Sequence, residues 1–204
     1  MGCYKLTYDY QPTLFLQEQG EKIYTPDWRV TVNACSKLGG EGDKALNSDG
    51  RVFNPFKYIP KEIPVGLRAT LTSGNIAWIA RKPVKGETAF TEPVNSRDKK
   101  TDLTVYYDPE LLNLPEANSY SVIGHEWIHI MQYRSGAYAD WIDTYNGNGA
   151  AKNIAETNAW GWNNEVYPNV MMPNQRDTPY QIFYGYLTGV NAVSGWSYTS
   201  GKYW

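Results

Sequence analysis

The spacing of apolar residues in the first half of the chain predicts short β-strands. Residues Arg29 to Ala34 alternate valine with polar side chains, which is the pattern of a half-buried strand. Leu67 to Thr72 and Asn75 to Lys82 predict a hairpin that turns at the Ser-Gly pair of residues 73–74. Leu103 to Tyr107 predicts a further strand, because β-branched and aromatic residues are followed there by Asp-Pro.

Two polar segments separate these strands. Residues 37–51 (KLGGEGDKALNSDGR) are predicted to form a loop, and residues 92–101 form a second polar connection. The glycines of the first segment lack the GxxxxGK[ST] order of a phosphate-binding loop. A nucleotide site is therefore not indicated.

The apolar period lengthens in the second half and predicts two helices. The first helix begins at Asn118 or Ser119, which can cap it, and ends near Ser135, where Gly136 is suited to a helix C-terminus. The second helix spans residues 150–165.

The order of these elements predicts the fold class. Residues 136–149 (GAYADWIDTYNGNG) are expected to form a loop between the helices, and the pattern of residues 189–204 assigns no element. Strands followed by helices indicate an α+β fold, with a mixed sheet from the N-terminal half packed against the helices. A length of 204 residues suits a single domain over residues 1–204, in which residues 1–20 are a linker or the remnant of a longer protein.

Composition and charge narrow the class of partner. The chain has 19 basic and 21 acidic residues and a net charge of -2, which argues against nucleic acid or an anionic membrane surface as the main partner. No segment approaches the roughly 18 apolar residues of a membrane span, and the N-terminal residues lack the pattern of an export signal. The 8 Trp and 17 Tyr residues suit core packing, sugar stacking or peptide grooves.

The two cysteines, Cys3 and Cys35, allow at most one disulfide. A disulfide-framework protein and a Cys-rich zinc finger are therefore excluded. The sequence does not show whether the two cysteines form a disulfide, so the redox compartment stays open. The oligomeric state also stays open.

Both histidines of the chain lie on the first predicted helix, four positions apart. At about 100° per residue, His125 and His129 are about 40° apart around the helix axis and share one face. Two imidazoles so placed can both reach one metal ion at roughly 2.0 to 2.1 Å. The opposite side, expected to face the core, carries a mostly apolar set: Ile123, Trp127, Ile130 and Arg134.

Residues 125–129 read His-Glu-Trp-Ile-His, which is the HEXXH pattern, and the chain resembles the zincin metallopeptidases through it. The resemblance implies a zincin-like fold and a zinc ion bound by His125 and His129. It also implies that Glu126 acts as the general base, taking the proton of the water that attacks a peptide carbonyl.

A catalytic zinc takes three protein ligands and keeps a fourth position open. Because the chain has no third histidine, the third ligand is expected to be a carboxylate. Glu156, in the segment NIAETNAWGW of the second predicted helix, has 26 residues between it and His129. This arrangement resembles the gluzincins, in which a second helix packs antiparallel behind the first and supplies a glutamate. It is also similar to the short HEXXH domain of bacterial effectors, in which a Gln follows the second histidine by three residues, as Gln132 does.

The sequence leaves several roles open. Asp140 and Asp143 are rivals of Glu156 as third ligand, and Glu156 is favoured because a helix fixes a ligand better than a loop does. Asn153 and Asp143 are candidates for orienting the imidazoles. Gluzincins commonly stabilise the oxyanion with a His or Tyr, for which the candidates here are Tyr133, Tyr180, Tyr184 and Tyr186.

Two functions of different class are therefore considered. The first is a zinc metalloendopeptidase whose polypeptide substrate pairs with an edge strand, either residues 103–107 or residues 75–82. The second is a noncatalytic, aromatic-rich binding protein for a glycan or protein, with a structural or inactive zincin-like helix. Residues 2–10 (GCYKLTYDY) weakly resemble the segment that closes the core of some RHS-repeat toxins. That resemblance implies an exported effector domain of a longer protein; the alternative is an ordinary strand with alternating aromatics.

Overall fold

The structure is a computed structural model that describes residues 3–9, 29–35, 55–72, 75–80, 88–145, 147–171, 177–190 and 195–204. The predicted loop at residues 37–51 and the predicted turn at residues 73–74 lie outside these ranges. Within them, strands and helices combine in a mixed α+β fold, so the predicted class is confirmed.

Five strands form one mixed sheet: β1 (Cys3–Asp9), β2 (Arg29–Cys35), β3 (Ile76–Ala80), β4 (Ala89–Pro93) and β5 (Leu103–Tyr107). Their order across the sheet is β1-β2-β3-β5-β4. The three central strands β2, β3 and β5 run parallel, whereas β1 and β4 are antiparallel to their neighbours. The strands predicted at 29–34, 75–82 and 103–107 are thereby confirmed, and residues 3–9 also form a strand.

The two edge strands predicted from the sequence are wrong, because β3 and β5 both lie inside the sheet. The two edge strands are β1 and β4. The apolar pattern did not indicate β4, which overlaps the predicted polar connection at residues 92–101. Only Phe90 is a large apolar residue in its sequence, Ala-Phe-Thr-Glu-Pro. A strand at a sheet edge has fewer neighbours to bury it and needs less apolar surface.

The predicted hairpin is also wrong in its first half, since residues 67–72 are helical. A short helix, α1, spans Val65–Arg68 and continues into a 3-10 turn at Ala69–Thr72. Pro64 explains the difference, because proline is favoured at a helix start and its carbonyl accepts the N–H groups of both Leu67 and Arg68.

Four longer helices follow the sheet: α2 (Glu116–Ser135), α3 (Ala137–Thr144), α4 (Asn148–Val166) and α5 (Pro179–Val190). The two predicted helices are confirmed as α2 and α4, and α2 ends at Gly136 with a φ of 90°. The predicted loop between them is wrong over α3, where Tyr138 and Ile142 are buried one turn apart. None of the helices in the described ranges is long and apolar enough to cross a membrane.

The start of α2 differs from the prediction because Pro115 occupies the cap position. The side chains expected to cap the helix bond elsewhere. Ser119 donates to the Leu111 carbonyl and Asn118 donates to the Met171 carbonyl. Proline near a helix start loses no hydrogen bond, which allows the helix to begin earlier.

One face of the sheet packs against α2, as the helix wheel predicts. Side chains along β3 and β5 alternate between buried positions, which face α2, and half-buried positions on the other face of the sheet. Arg134 is buried with its apolar neighbours, and its guanidinium donates to the carbonyls of Lys99, Thr101 and Asn75. The main residues of this core are Ile76, Trp78, Leu103, Val105, Tyr107, Ile123, Trp127 and Ile130.

Helices α2 and α4 lie side by side in antiparallel directions. Near the start of α2, Ser121 bonds to Asn163 late in α4, and near its end Gln132 bonds to the Ala155 carbonyl early in α4. The start of α2 therefore contacts the end of α4, and the end of α2 contacts the start of α4, as in any antiparallel helix pair. This places the inner faces of both helices at one site.

We expect Gly124→Ala to destabilise the protein, because Gly124 lets the two helices approach closely. A Cβ atom at this position would lie 2.3 Å from the Cη2 atom of Trp162, whose side chain is buried. The matched control is Gly185→Ala in α5, where nothing lies within 4 Å. Both variants gain about 1 kcal/mol of helix propensity. Overpacking should leave Gly124→Ala about 1–3 kcal/mol less stable than the control in denaturant unfolding; equal stabilities would contradict the close contact.

Candidate metal centre

The two imidazoles of α2 lie in the wall of a cleft and point toward each other. Their Nε2 atoms are 3.0 Å apart, and the rings meet edge to face. Both residues are buried, with exposed fractions of 7% for His125 and 9% for His129. Trp160 packs edge to face on the His125 ring with 4.9 Å between centroids, which restricts the orientation of that ring.

The outer nitrogen of His125 is held by Asn163. His125 Nδ1 lies 2.6 Å from the Oδ1 atom of Asn163. The Nδ2 atom of Asn163 donates to both the carbonyl and the hydroxyl of Ser121, at 2.9 Å each. Because Nδ2 is committed to these acceptors, Oδ1 faces the histidine as an acceptor, and His125 Nδ1 must carry the proton.

The outer nitrogen of His129 is held in the same way by Gln132. His129 Nδ1 lies 2.9 Å from Gln132 Oε1. Gln132 Nε2 donates to the carbonyls of Ala155 and Tyr203, at 3.1 and 2.8 Å. The amide orientation is thus fixed by two main-chain oxygens, and His129 Nδ1 is also protonated.

These contacts make the site suited to a cation. In the neutral form of the two imidazoles, with the protons on Nδ1, the Nε2 atoms face each other as lone-pair acceptors with no hydrogen to share. Two nitrogens on a tetrahedral zinc lie roughly 3.3 Å apart, given zinc–nitrogen distances of about 2.0 to 2.1 Å. The observed 3.0 Å between the Nε2 atoms is close to this separation. A metal ion would remove the repulsion between the lone pairs.

Glu156 of α4 completes a group of three potential ligands. Its carboxylate oxygens lie 3.6 Å from His125 Nε2 and 3.7 Å from His129 Nε2. Burial opposes ionisation of Glu156, but positive charge on His129 and His125, which requires a proton on Nε2, outweighs it and lowers the pKa of Glu156 to about 2. A cation bound between the imidazoles would act in the same direction. In the described residues, His125, His129 and Glu156 have ligand atoms that all lie within 4.8 Å of one another.

The rival ligands do not join this group. Asp140 is exposed, and Asp143 forms an exposed ion pair with Arg97. Of the three candidate carboxylates, Glu156 is the one that lies beside the two imidazoles. Both predicted orienting residues are wrong, since Asn153 is exposed and Asp143 pairs with Arg97. Gln132 and Asn163 contact the imidazoles instead.

Glu126 lies beside the cluster and is 3% exposed. It lines the same cleft as the two histidines and Glu156. One carboxylate oxygen, Oε2, accepts a hydrogen bond of 2.7 Å from the Thr91 hydroxyl of β4. The edge strand therefore touches the carboxylate directly.

The cleft has a volume of about 540 Å³, and every residue of β4 contributes to its lining. Two of the four candidate tyrosines, Tyr133 and Tyr186, also line it. Tyr180 and Tyr184 are more than half exposed and stack on each other outside this lining. Burial raises the pKa of Tyr133, which packs against Tyr138, so its hydroxyl keeps its proton and can donate a hydrogen bond. Tyr133 and Tyr186 are therefore the two candidates that reach the cleft.

The main-chain hydrogen bonds of β4 define which of its groups face the open edge. Thr88 accepts from the N–H of Asp108, and Val94 donates to the carbonyl of Asp102. Hydrogen-bonded and non-hydrogen-bonded pairs alternate along an antiparallel ladder. The residues of β4 with odd numbers are therefore in non-hydrogen-bonded pairs with β5.

Ala89, Thr91 and Pro93 are these odd-numbered residues, and β5 faces them with Tyr107, Val105 and Leu103. Their main-chain groups point away from β5, toward the side of β4 on which the described residues place no further strand. This side is called the free edge. Pro93 agrees with this assignment, because proline has no N–H and is tolerated in a strand only where the N–H would face outward. The edge offers two N–H groups and three carbonyls to an extended chain.

We expect Asn163→Leu to weaken zinc binding about 10- to 100-fold, the usual cost of losing a group that orients a ligating imidazole. The change removes the acceptor of His125 Nδ1 and frees the ring. Asn158→Leu is the matched control, because Asn158 is also buried in α4 but its Oδ1 has no hydrogen-bond partner among the described residues. Zinc affinity measured by chelator competition should fall only in the first variant. Equal affinities would show that Asn163 does not support the site.

Sequence reasoning missed two residues of this site. Asn163 lies seven positions after Glu156, two turns along the same face of α4, and this spacing could have indicated it. Thr91 had no comparable signal, because its role depends on the pairing of β4 with β5.

Comparison of the chain with models of known protein families, with curated proteins and with solved structures finds no match. The functional assignment therefore depends on the geometry of the site itself.

Proposed function

We propose that the protein is a zinc-dependent metallopeptidase with a gluzincin-like ligand set of His125, His129 and Glu156. The observation that carries the proposal is that Asn163 and Gln132 hold the two imidazoles with their Nε2 atoms facing each other. Orienting contacts of this kind accompany metal-ligating histidines. Two imidazoles and one glutamate form a donor set of catalytic zinc sites, which keep one position open to solvent.

The residues around the site have separate tasks in this proposal. The two histidines and Glu156 hold the ion, and the cleft gives a substrate access to it. A zinc ion bound there supplies Lewis acidity, lowering the pKa of a coordinated water toward 7 and polarising a carbonyl. Tyr186 lines the cleft and could donate a hydrogen bond to the carbonyl oxygen of a substrate.

Glu126 is the proposed general base. Its carboxylate is adjacent in sequence to a ligand and lies in the same cleft wall. In amide hydrolysis it takes a proton from the attacking water and then gives that proton to the leaving amine. The water oxygen first bonds to the amide carbon and the C–N bond then breaks, which gives a carboxylic acid and an amine. The acid loses its remaining proton to the amine, so the products at neutral pH are a carboxylate and an ammonium group.

The free edge of β4 supports an extended polypeptide as substrate. Ala89 and Thr91 offer both N–H and carbonyl groups outward, and Pro93 offers a carbonyl. A peptide that pairs with this edge runs along the cleft that contains the metal ligands. The weak resemblance of the N-terminal residues to RHS-repeat toxins supports a role as an exported effector peptidase.

A chelation experiment tests the proposed function. The zinc-loaded protein is incubated with a library of quenched fluorescent peptides, and we expect cleavage of a subset. A strong chelator should abolish that cleavage, and one equivalent of zinc should restore it, because the ion is removed and returned without unfolding the helices. Cleavage that persists in the fully metal-free protein, or its absence from the fully zinc-loaded protein, would contradict the proposal.

A further inference from the structure

Thr91 connects the edge strand to the carboxylate of Glu126. Its hydroxyl donates to Glu126 Oε2 at 2.7 Å, from the half-buried middle of β4. Its main-chain N–H and carbonyl point in another direction, toward the free edge, because Thr91 is in a non-hydrogen-bonded pair with Val105. One residue thus faces both the path of an extended peptide and the carboxylate.

We propose that Thr91 is a positioning residue that fixes the orientation of Glu126 relative to a substrate bound along β4. The inference rests on the proposed function. A carboxylate on a helix has rotational freedom in its side chain, and a charge-assisted hydrogen bond to one oxygen removes part of it. The hydrogen bond thereby fixes the position of the carboxylate relative to the strand to which the peptide binds.

The chemistry of the residue type agrees with this role. A β-branched side chain is restricted in χ1 and suits a strand, so the Thr91 hydroxyl is presented in a defined direction. The β4 residues beside it, Phe90 and Glu92, point to the other face of the strand, where Phe90 stacks on Tyr106. Among the described residues of β4, it is Thr91 whose side chain donates a hydrogen bond to Glu126.

The test compares three variants of the zinc-loaded protein. Thr91→Val keeps the shape and removes the donor, Thr91→Ser keeps the donor, and Thr104→Val makes the same change on β5 at a half-buried position on the other sheet face. The probe is a quenched fluorescent peptide that the wild type cleaves. We expect Thr91→Val to lower kcat about 10- to 100-fold, the scale of loss for a misplaced catalytic group.

The expected pattern separates positioning from folding. KM and bound zinc should stay at the wild-type values in Thr91→Val, because the main-chain groups of β4 and the three ligands are unchanged. Thr91→Ser should restore most of kcat, and Thr104→Val should keep it. A kcat for zinc-loaded Thr91→Val equal to that of wild type would overturn the proposal, as would a loss that Thr91→Ser shares fully.

A crystal structure of Thr91→Val keeps this inference separate from the proposed function. If the zinc-loaded wild type cleaves no peptide, the peptidase assignment fails, while the position of Glu126 can still be measured. We expect its carboxylate to be displaced by about 1 Å or more in Thr91→Val, the scale of misplacement that impairs catalysis. A carboxylate that keeps its wild-type position without the hydroxyl would overturn the positioning role.

Discussion

Peptide hydrolysis is expected to fall by about 100- to 10,000-fold in Glu126→Gln, while zinc remains bound. This is the contribution that a positioned general acid–base group makes to a reaction. Glutamine has nearly the same size and keeps an oxygen that can accept the Thr91 hydroxyl, so the fold and the edge strand are preserved. It cannot take a proton from water. The measurement is kcat on a cleaved peptide, with zinc content determined on the same sample.

The control for this variant is Glu116→Gln on the same helix. Glu116 lies in the first turn of α2 and forms an exposed ion pair with Lys57. Exposed pairs contribute little to stability, so this variant should match the wild type in both activity and zinc content. A Glu126→Gln protein that cleaves as fast as the wild type would remove Glu126 from the mechanism. Loss of zinc in that variant would instead assign Glu126 to the metal site.

Zinc affinity is expected to fall at least about 100-fold in Glu156→Gln, more than the loss from disturbing a group that only orients a ligand. The neutral amide keeps the shape but removes the negative charge beside the two Nε2 atoms. Asp140→Asn and Asp143→Asn are matched controls because they neutralise the rival carboxylates of α3. Their zinc affinities should equal that of the wild type in chelator competition.

The zinc affinities of these variants decide which of the three carboxylates is the third ligand. An Asp143→Asn protein should lose only its surface pair with Arg97. If Asp140→Asn or Asp143→Asn released the ion while Glu156→Gln retained it, the assignment of the third ligand would be wrong. The assignment of His125 and His129 as ligands would be unaffected, because their contacts with Asn163 and Gln132 are independent of all three carboxylates.

The ligand-bearing helices could be predicted because their signals are local. The spacing of His125 and His129 fixes their common face once a helix is assumed, and the apolar residues on the opposite side indicate which face is buried. Glu156 could be selected by elimination and by its place on a second helix. The C-terminal glycine of α2 was equally clear, since a φ of 90° favours glycine at position 136.

The edge strand and the orienting residues could not be predicted from local patterns. β4 is short and partly exposed, and its identity as a strand depends on pairing with β5, which lies later in the chain. Asn163 faces His125 only because α2 and α4 run antiparallel at close contact. The backbone carbonyl of Tyr203 fixes Gln132 from a segment whose sequence indicated no element. These features are tertiary, and periodicity carries no information about them.

Zinc bound per chain, measured by native mass spectrometry, shows whether the proposed metal site exists. We expect one zinc ion per chain in the wild type, and none in a His125→Ala and His129→Ala double variant that keeps the helical content of the fold. A wild-type chain that binds no zinc even after zinc is supplied would rule out the proposed site, as would a double variant that retains the ion.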